Sequence, residues 1–497
     1  MKVPKLSCAL RSGCDYGRAH ALAVLFVAIT LYTGLHLAYG TPIGDVADEP
    51  AHISRAVALL HGQIFGVRHA TPRGPDSGVF IDSGLARAAR SELVPWPTGT
   101  VGSAPKMGAQ QVAAARAISW SGQRKFIQAS GAVEYFPAFY LPGALGVEAG
   151  ALAGQRPLAA LYTGRLFMLL AYIGIGALAI SLARFGRPLL FAVLSLPMAV
   201  SLAASFNQDA QLLAASALCG ALLTWSPTAF PKARLFAATI FALLLCSKPP
   251  YGLLLFACLT PLAASGWRQR LVRLSAFGLP ALLWVIAMLR LSFTPVRRKP
   301  YRPGPLWPGN PAMTLHAADP ADGVRVLLAD PTRILWLPWH DLVQNYVGLS
   351  RQAIGVLGWL NISLTHHLYR DWYDALGAAA LATLLGGRAG RVRWHWGDAL
   401  LVLTLIGATM IAVELSLYLD WTNVGEAQII GVQGRYYLLL VPFAVLVVPR
   451  FGAWFDRGAG WRYGRDAASL LLTLPAILVA LKGALVLPTL ITRSFYQ

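Results

Sequence analysis

Long apolar runs separated by short polar breaks dominate the chain. A helix needs about 20 apolar residues to cross a hydrocarbon core about 30 Å thick. Such runs recur near residues 21–39, 165–183, 188–204, 209–225, 233–247, 249–265, 272–291, 372–387, 398–419, 435–449 and 467–490. The pattern predicts an all-α polytopic membrane protein with about eleven transmembrane helices. They form one transmembrane domain over 21–490, behind an N-terminal segment of residues 1–20. Two stretches, 40–164 and 292–371, break the rhythm with Pro, Gly and Trp and read as folded elaborations. In the first, Glu49–Leu60 and Gln110–Gln128 are helix-permissive. No internal repeat points to the inverted halves of a transporter.

One boundary needs a decision. Read as one helix kinked at Pro249 and Pro250, Leu235–Ser265 would be about 46 Å long, too long for a single crossing. Ser247-Lys248-Pro249-Pro250-Tyr251 is therefore read as a tight turn between two spans.

Composition agrees with this class. The chain is 56% hydrophobic and 13% charged, with a mean hydropathy of +0.54, whereas a soluble domain carries about 25% charged residues. The net charge of +20 does not call for nucleic acid, because the basic residues gather in short loops between spans. Arg184–Arg187, Lys232–Arg234, Arg268–Arg273, Arg388–Arg393 and Arg450–Arg465 fall on one side, while 205–208 and 420–433 hold no Lys or Arg. This positive-inside asymmetry predicts a bacterial inner (cell) membrane protein with a cytoplasmic N-terminus and a periplasmic C-terminus. It also puts both long segments in the periplasm. The run Ala21–Tyr39 behind Lys2, Lys5, Arg11 and Arg18 reads as an uncleaved first span, being long for a signal and followed by no A-x-A site. Cys8, Cys14, Cys219, Cys246 and Cys258 have no CxxC spacing and suggest neither a disulfide framework nor a zinc site. Lys482, inside the last run, is expected to snorkel outward.

In this topology the unusual polar residues Asp48-Glu49, Asn207-Gln208-Asp209, Lys248, Asp420 and Arg435 all lie at the outer ends of spans. A shared layer points to one cavity at the membrane surface. Ionisable groups beside apolar spans are costly and often functional. In Asp48-Glu49-Pro50-Ala51-His52, Pro50 suits a first helical turn and Asp48 could cap it. The same carboxylates could instead act as a general base or hold a hard divalent cation, with His52 orienting one of them. Lys248 and Arg435 require anions. Asp209, Asp420 or Glu426 could supply them, or a lipid phosphate or pyrophosphate could. Glu414, inside the ninth run, is a site candidate or the partner of a polar group on a neighbouring helix.

Five segments, in order, carry a resemblance: Asp48-Glu49-Pro50-Ala51-His52, Tyr162-Thr163-Gly164-Arg165-Leu166, Ser247-Lys248-Pro249-Pro250-Tyr251, Gly355-Val356-Leu357-Gly358-Trp359-Leu360 and Gly431-Val432-Gln433-Gly434-Arg435-Tyr436-Tyr437. Together they resemble a bacterial multi-pass membrane family catalogued as a domain of unknown function, which is itself similar to the C-type glycosyltransferase superfamily. The resemblance implies transfer of a sugar from a polyprenyl-phosphate carrier, with Asp48 the catalytic carboxylate and Glu49 its neighbour. His52, Arg165, Asp209, Lys248, Tyr251, Arg435 and Tyr436 would then face substrate. Asn361 and Asn207-Gln208-Asp209 depart from the family pattern. A transporter or flippase of lipid-linked saccharides and a noncatalytic part of polysaccharide assembly are the rival readings.

Overall fold

Every predicted apolar run carries helix. The computed structural model describes residues 5–72, 74–93, 106–262, 266–294, 304–310, 318–386, 396–447 and 459–497. From the N-terminus, α1 (Lys5–Gly40) leads into α2 (Glu49–Leu59) and then a three-stranded antiparallel sheet. Its strands are β1 (Val67–Thr71), β2 (Gly74–Asp82) and, beyond α3 (Ser83–Ser91) and α4 (Ala109–Ala117), β3 (Arg124–Gln128). Next come α5 (Leu141–Leu152), α6 (Pro157–Leu182), α7 (Arg187–Leu194), α8 (Pro197–Ala203), α9 (Asp209–Leu223) and α10 (Ala233–Ser247). A tight helical segment, Pro249–Leu259, precedes α11 (Trp267–Leu291), α12 (Pro320–Ala329) and α13 (Arg333–Gly355). A short hairpin of β4 (Val356–Leu357) and β5 (Ile362–Ser363) connects to α14 (His366–Gly386) and α15 (Trp396–Asp420). A second tight segment, Gly434–Val447, and the helix Ala459–Phe495 end the chain.

Five described helices are long and apolar enough to cross a membrane: His20–Gly40 within α1, α6, α11, α15 and Ala467–Phe495. Of the other apolar runs, 372–387 lies, as far as Gly386, in the 21-residue α14, and the rest form shorter pieces. Residues 188–204 are broken between α7 and α8 at Pro197, which has no N–H to give and holds Leu196 extended at ψ 140°. α9 and α10 have 15 residues each, about 22 Å at 1.5 Å per residue.

The reversal expected at Pro249-Pro250 is present. Arg234, near the start of α10, donates Nε to the Thr260 carbonyl at 2.7 Å, just past the end of Pro249–Leu259. The two pieces therefore run side by side in opposite directions. At that same end of the bundle Arg184 lies 4.6 Å from the Trp225 ring, and Arg270 donates to the Leu259 carbonyl. Arginine thus gathers at the end of α9 and α10 opposite Asp209 and Ser247. The basic loops Arg388–Arg393 and Arg450–Arg457 lie outside the described residues.

The first long segment is folded, and it holds strand as well as helix. It has its own core of Ile43, Ile53, Val57, Val79, Ile81 and Leu85, and β2 pairs with β1 on one side and β3 on the other. The stretch Gln110–Gln128 is helix only to Ala117 and strand from Arg124. Asp82 causes much of the change, because its carboxylate caps α3 through Leu85 N and accepts from Ser121 N and Gly122 N. One side chain thereby fixes a helix start and a strand entry.

Replacing Asp82 with Ala removes that cap and the turn bonds and is expected to cost about 1–2 kcal/mol. Hydrogen–deuterium exchange should quicken in residues 83–91 and 119–124 while α6 and α9 stay protected.

Candidate functional site

The site begins with a buried arginine. Arg165, on α6, is fully buried and uses all five of its N–H donors. Nε and Nη2 donate to the two Glu49 oxygens at 2.8 and 2.5 Å, Nη1 to the Ala38 and Thr41 carbonyls, and Nη2 also to the Pro42 carbonyl. Glu49 in turn accepts from Gly44 N at 2.9 Å and Phe206 N at 3.2 Å. A carboxylate with four donors has no lone pair left. Arg165 and Glu49 therefore clamp the turn between α1 and α2, with every donor of one and both oxygens of the other engaged within the protein.

Asp48 differs from its neighbour. Its backbone is left-handed, at φ 64° and ψ 3°, and its side chain makes no capping bond to α2. Of the two roles the sequence leaves open for it, the side-chain cap is absent. The carboxylate is instead half exposed and accepts from Arg435 Nη2 at 2.8 Å. Arg435, 3% exposed, also sets Nε 3.3 Å from Asp209, whose other oxygen lies 3.2 Å from Lys248 Nζ. Asp48, Arg435, Asp209 and Lys248 thus form one chain of alternating charge, brought together from the turn before α2, the start of α9, the turn after α10 and the segment Gly434–Val447. The interior anion for both cations is Asp209, not Asp420 or Glu426. Arg435 Nη1 is buried with no hydrogen-bond partner among the described residues.

Aromatic rings enclose this chain. Lys248 Nζ sits 5.1 Å from the Tyr135 ring and 4.9 Å from the Tyr436 ring, and Arg435 lies over Tyr436 at 5.4 Å. Tyr251 donates its hydroxyl to the Tyr436 carbonyl at 2.6 Å and so holds that ring from below the surface. His52 is buried and stacked between Tyr135 and Tyr140, with Nδ1 2.6 Å from the Tyr140 hydroxyl. Burial lowers its pKa to about 4, so it is neutral near pH 7. Burial and then the charge of Asp420 raise the pKa of Glu134, next to Tyr135 in sequence, to about 7. Tyr135, Tyr140 and Glu134 were not singled out by the sequence, although the aromatic run Tyr135-Phe136-Pro137-Ala138-Phe139-Tyr140 is visible in it.

Remaining candidates have other roles. Asn207 donates Nδ2 to the Ala47 carbonyl and accepts from Asp209 N; an amide can do both, whereas a carboxylate only accepts. Glu414 accepts from the Tyr437 hydroxyl on the neighbouring segment. Asn361 lies in the β4–β5 turn, its buried side-chain amide without a hydrogen-bond partner among the described residues. Lys482 pairs with Asp371 of α14 at 2.5 Å. Among the described residues no group of three or more His, Cys, Asp or Glu is placed to hold a metal ion.

The five sequence motifs converge on the Asp48 turn. Trp359 Nε1 donates to the Gly44 carbonyl, and Ala47 N to the Gly358 carbonyl. Ser247 Oγ donates to Gln208 beside Asp209. Gly434 packs so tightly on the Leu349 carbonyl and Ala353 N of α13 that a Cβ would clash. The model of one family, described as predicted membrane protein (DUF2142), matches residues 31–447. No curated protein and no solved structure matches the chain.

The depressed His52 pKa carries a stability prediction. Above pH 6.5 both folded and unfolded chains hold it neutral; as pH falls toward 4 only the unfolded chain takes up the proton, so stability declines across that window. Melting in detergent should follow this course. His52→Gln should flatten it, and an unchanged pH profile in that variant would refute the assignment.

Proposed function

Because the chain belongs to the DUF2142 family of predicted membrane proteins, whose description assigns no reaction, we propose a function from the site and from the resemblance above: a membrane glycosyltransferase-like enzyme that moves a sugar from a polyprenyl-phosphate donor to a saccharide or lipid acceptor of the cell envelope. One observation carries this reading. Asp48 occupies a left-handed backbone position, leaves its helix uncapped, and presents a half-exposed carboxylate beside a buried arginine with an unused donor.

The four charges of the chain balance, two against two. A phosphate entering beside them would take Arg435 Nη1 and replace Asp48 on Nη2, with Lys248 adding a second positive charge held in place by Asp209 and two rings. Asp48, released from Arg435, is then free to accept a proton. The acceptor hydroxyl oxygen forms a bond to the anomeric carbon as the bond from that carbon to the phosphate oxygen breaks. The proton goes to Asp48 and the electron pair leaves with polyprenyl phosphate. Glu49 and Arg165 position Asp48, neutral His52 supports the aromatic wall, and Tyr251 and Tyr436 hold the cations. Of the acidic pair, Asp48 is the carboxylate with free oxygen sites that could hold a divalent cation.

The basic loops support placing this site on the periplasmic face of a bacterial inner membrane, with about eleven spans, a cytoplasmic N-terminus and a periplasmic C-terminus. A periplasm-dependent reporter fused after Gly154 should be active and one fused after Gly266 inactive. Either result reversed would overturn the orientation.

The chemical test follows a labelled polyprenyl-linked sugar in membranes at matched protein levels. Asp48→Asn, which tolerates the left-handed backbone, should lose about 100-fold to 10,000-fold in rate while staying folded. Lys248→Ala and Arg435→Ala should weaken use of the donor. A transporter would tolerate Asp48→Asn better than loss of the cations, and a noncatalytic component would tolerate all three. Full activity of Asp48→Asn would exclude the mechanism.

A further inference from the structure

α13 is amphipathic in an unusual sense, because its apolar face is the one left open. At about 100° per residue, Leu335, Trp336, Trp339, Val343, Tyr346 and Val347 fall within one arc of roughly 120°. All six are exposed, Trp339 at 70%, Tyr346 at 66% and Leu335 at 62%. Leu337, Pro338, Asp341 and Leu349, on the other side, are buried against the protein. His340, Gln344 and Arg351 line the polar edge. Turned inside out for a soluble protein, this arrangement needs an apolar partner over the open face.

Composition and position name that partner. Trp and Tyr concentrate where a bilayer meets water, since each has an apolar ring and a polar handle. α13 has 23 residues, yet Arg333, His340, Asp341 and Arg351 within it make it too polar to cross a hydrocarbon core. It packs along α15, a crossing candidate whose apolar window is mostly unburied within the protein. The open face of α13 therefore continues a surface that lipid covers.

We propose that α13 is an interfacial helix, its Trp336, Trp339 and Tyr346 face seated in the headgroup layer of the bilayer beside the Arg435 site. The helix is coupled to that site directly. Gln352 Oε1 accepts from Gly434 N at 2.9 Å, and Gly434 lies flat on the last turns of α13, next to Arg435. Seating α13 in lipid sets the depth of the site at the membrane surface. The inference stands apart from the proposed reaction, because it needs only the helix face and a bilayer.

The test uses full-length protein with its five native cysteines replaced by alanine and single substitutions Trp339→Cys, Tyr346→Cys and Gln344→Cys, each labelled with an environment-sensitive fluorophore. The proteins are reconstituted in phosphatidylcholine–phosphatidylglycerol vesicles, with and without brominated acyl chains. Labels at 339 and 346 should lose about half their emission to the brominated chains and resist aqueous iodide, with the reverse at 344. Leu335→Cys and Val343→Cys serve if either aromatic variant fails to fold. Iodide quenching at the open face overturns the proposal, as does shielding from both quenchers, which would mark an interface with a second copy of the chain.

Discussion

The Arg165–Glu49 pair is the interaction on which the site depends. Both groups are fully buried and every polar atom of the pair is spoken for, so its removal by halves would leave an uncompensated charge in an apolar interior, typically a loss of about 3–5 kcal/mol. Its reach is wider than its energy. Three of the five guanidinium bonds end on backbone carbonyls between Ala38 and Pro42, where α1 finishes and the chain turns into α2. The turn is thereby shaped from within, and Asp48 is delivered to the surface one residue before the clamp. Arginine is required here because a lysine has three donors and no planar fork.

Around that clamp the molecule is divided into two ends of different chemistry. One holds paired, ring-covered charges of both signs; the other gathers Arg184, Arg234 and Arg270 on backbone carbonyls and Trp225. In the first, charges are fixed by one another. In the second, Arg234 and Arg270 donate to backbone carbonyls, and the buried carboxylate of Asp398, which accepts from Leu262 N, lies close to both.

Much of this was legible in the sequence. Apolar run length located the helices, and the tight turn at Pro249-Pro250 followed from span length alone. Asp48, Asp209, Lys248 and Arg435 could be gathered from their common layer, although they lie as far as 387 positions apart. What stayed hidden depended on contacts between distant residues. Nothing local distinguishes the carboxylate of Asp48 from that of Glu49, and only the packing of α6 makes one interior and the other open. The small sheet was missed because β1 is exposed and polar, without the alternation that marks a strand. The choice between a capping and an open Asp48 was hidden for a related reason: its left-handed backbone, which a sequence rule does not foresee, departs from the extended conformation of a capping residue.

The left-handed backbone at Asp48 has a consequence for how this protein can change. For most side chains that conformation costs about 1–2 kcal/mol, less for Asp and Asn and nothing for Gly. Glycine or asparagine would be more at ease in that backbone, but neither carries the negative charge that faces buried Arg435. Backbone and charge therefore pull in opposite directions at this one residue, and easing the first leaves the Arg435 guanidinium short of a partner.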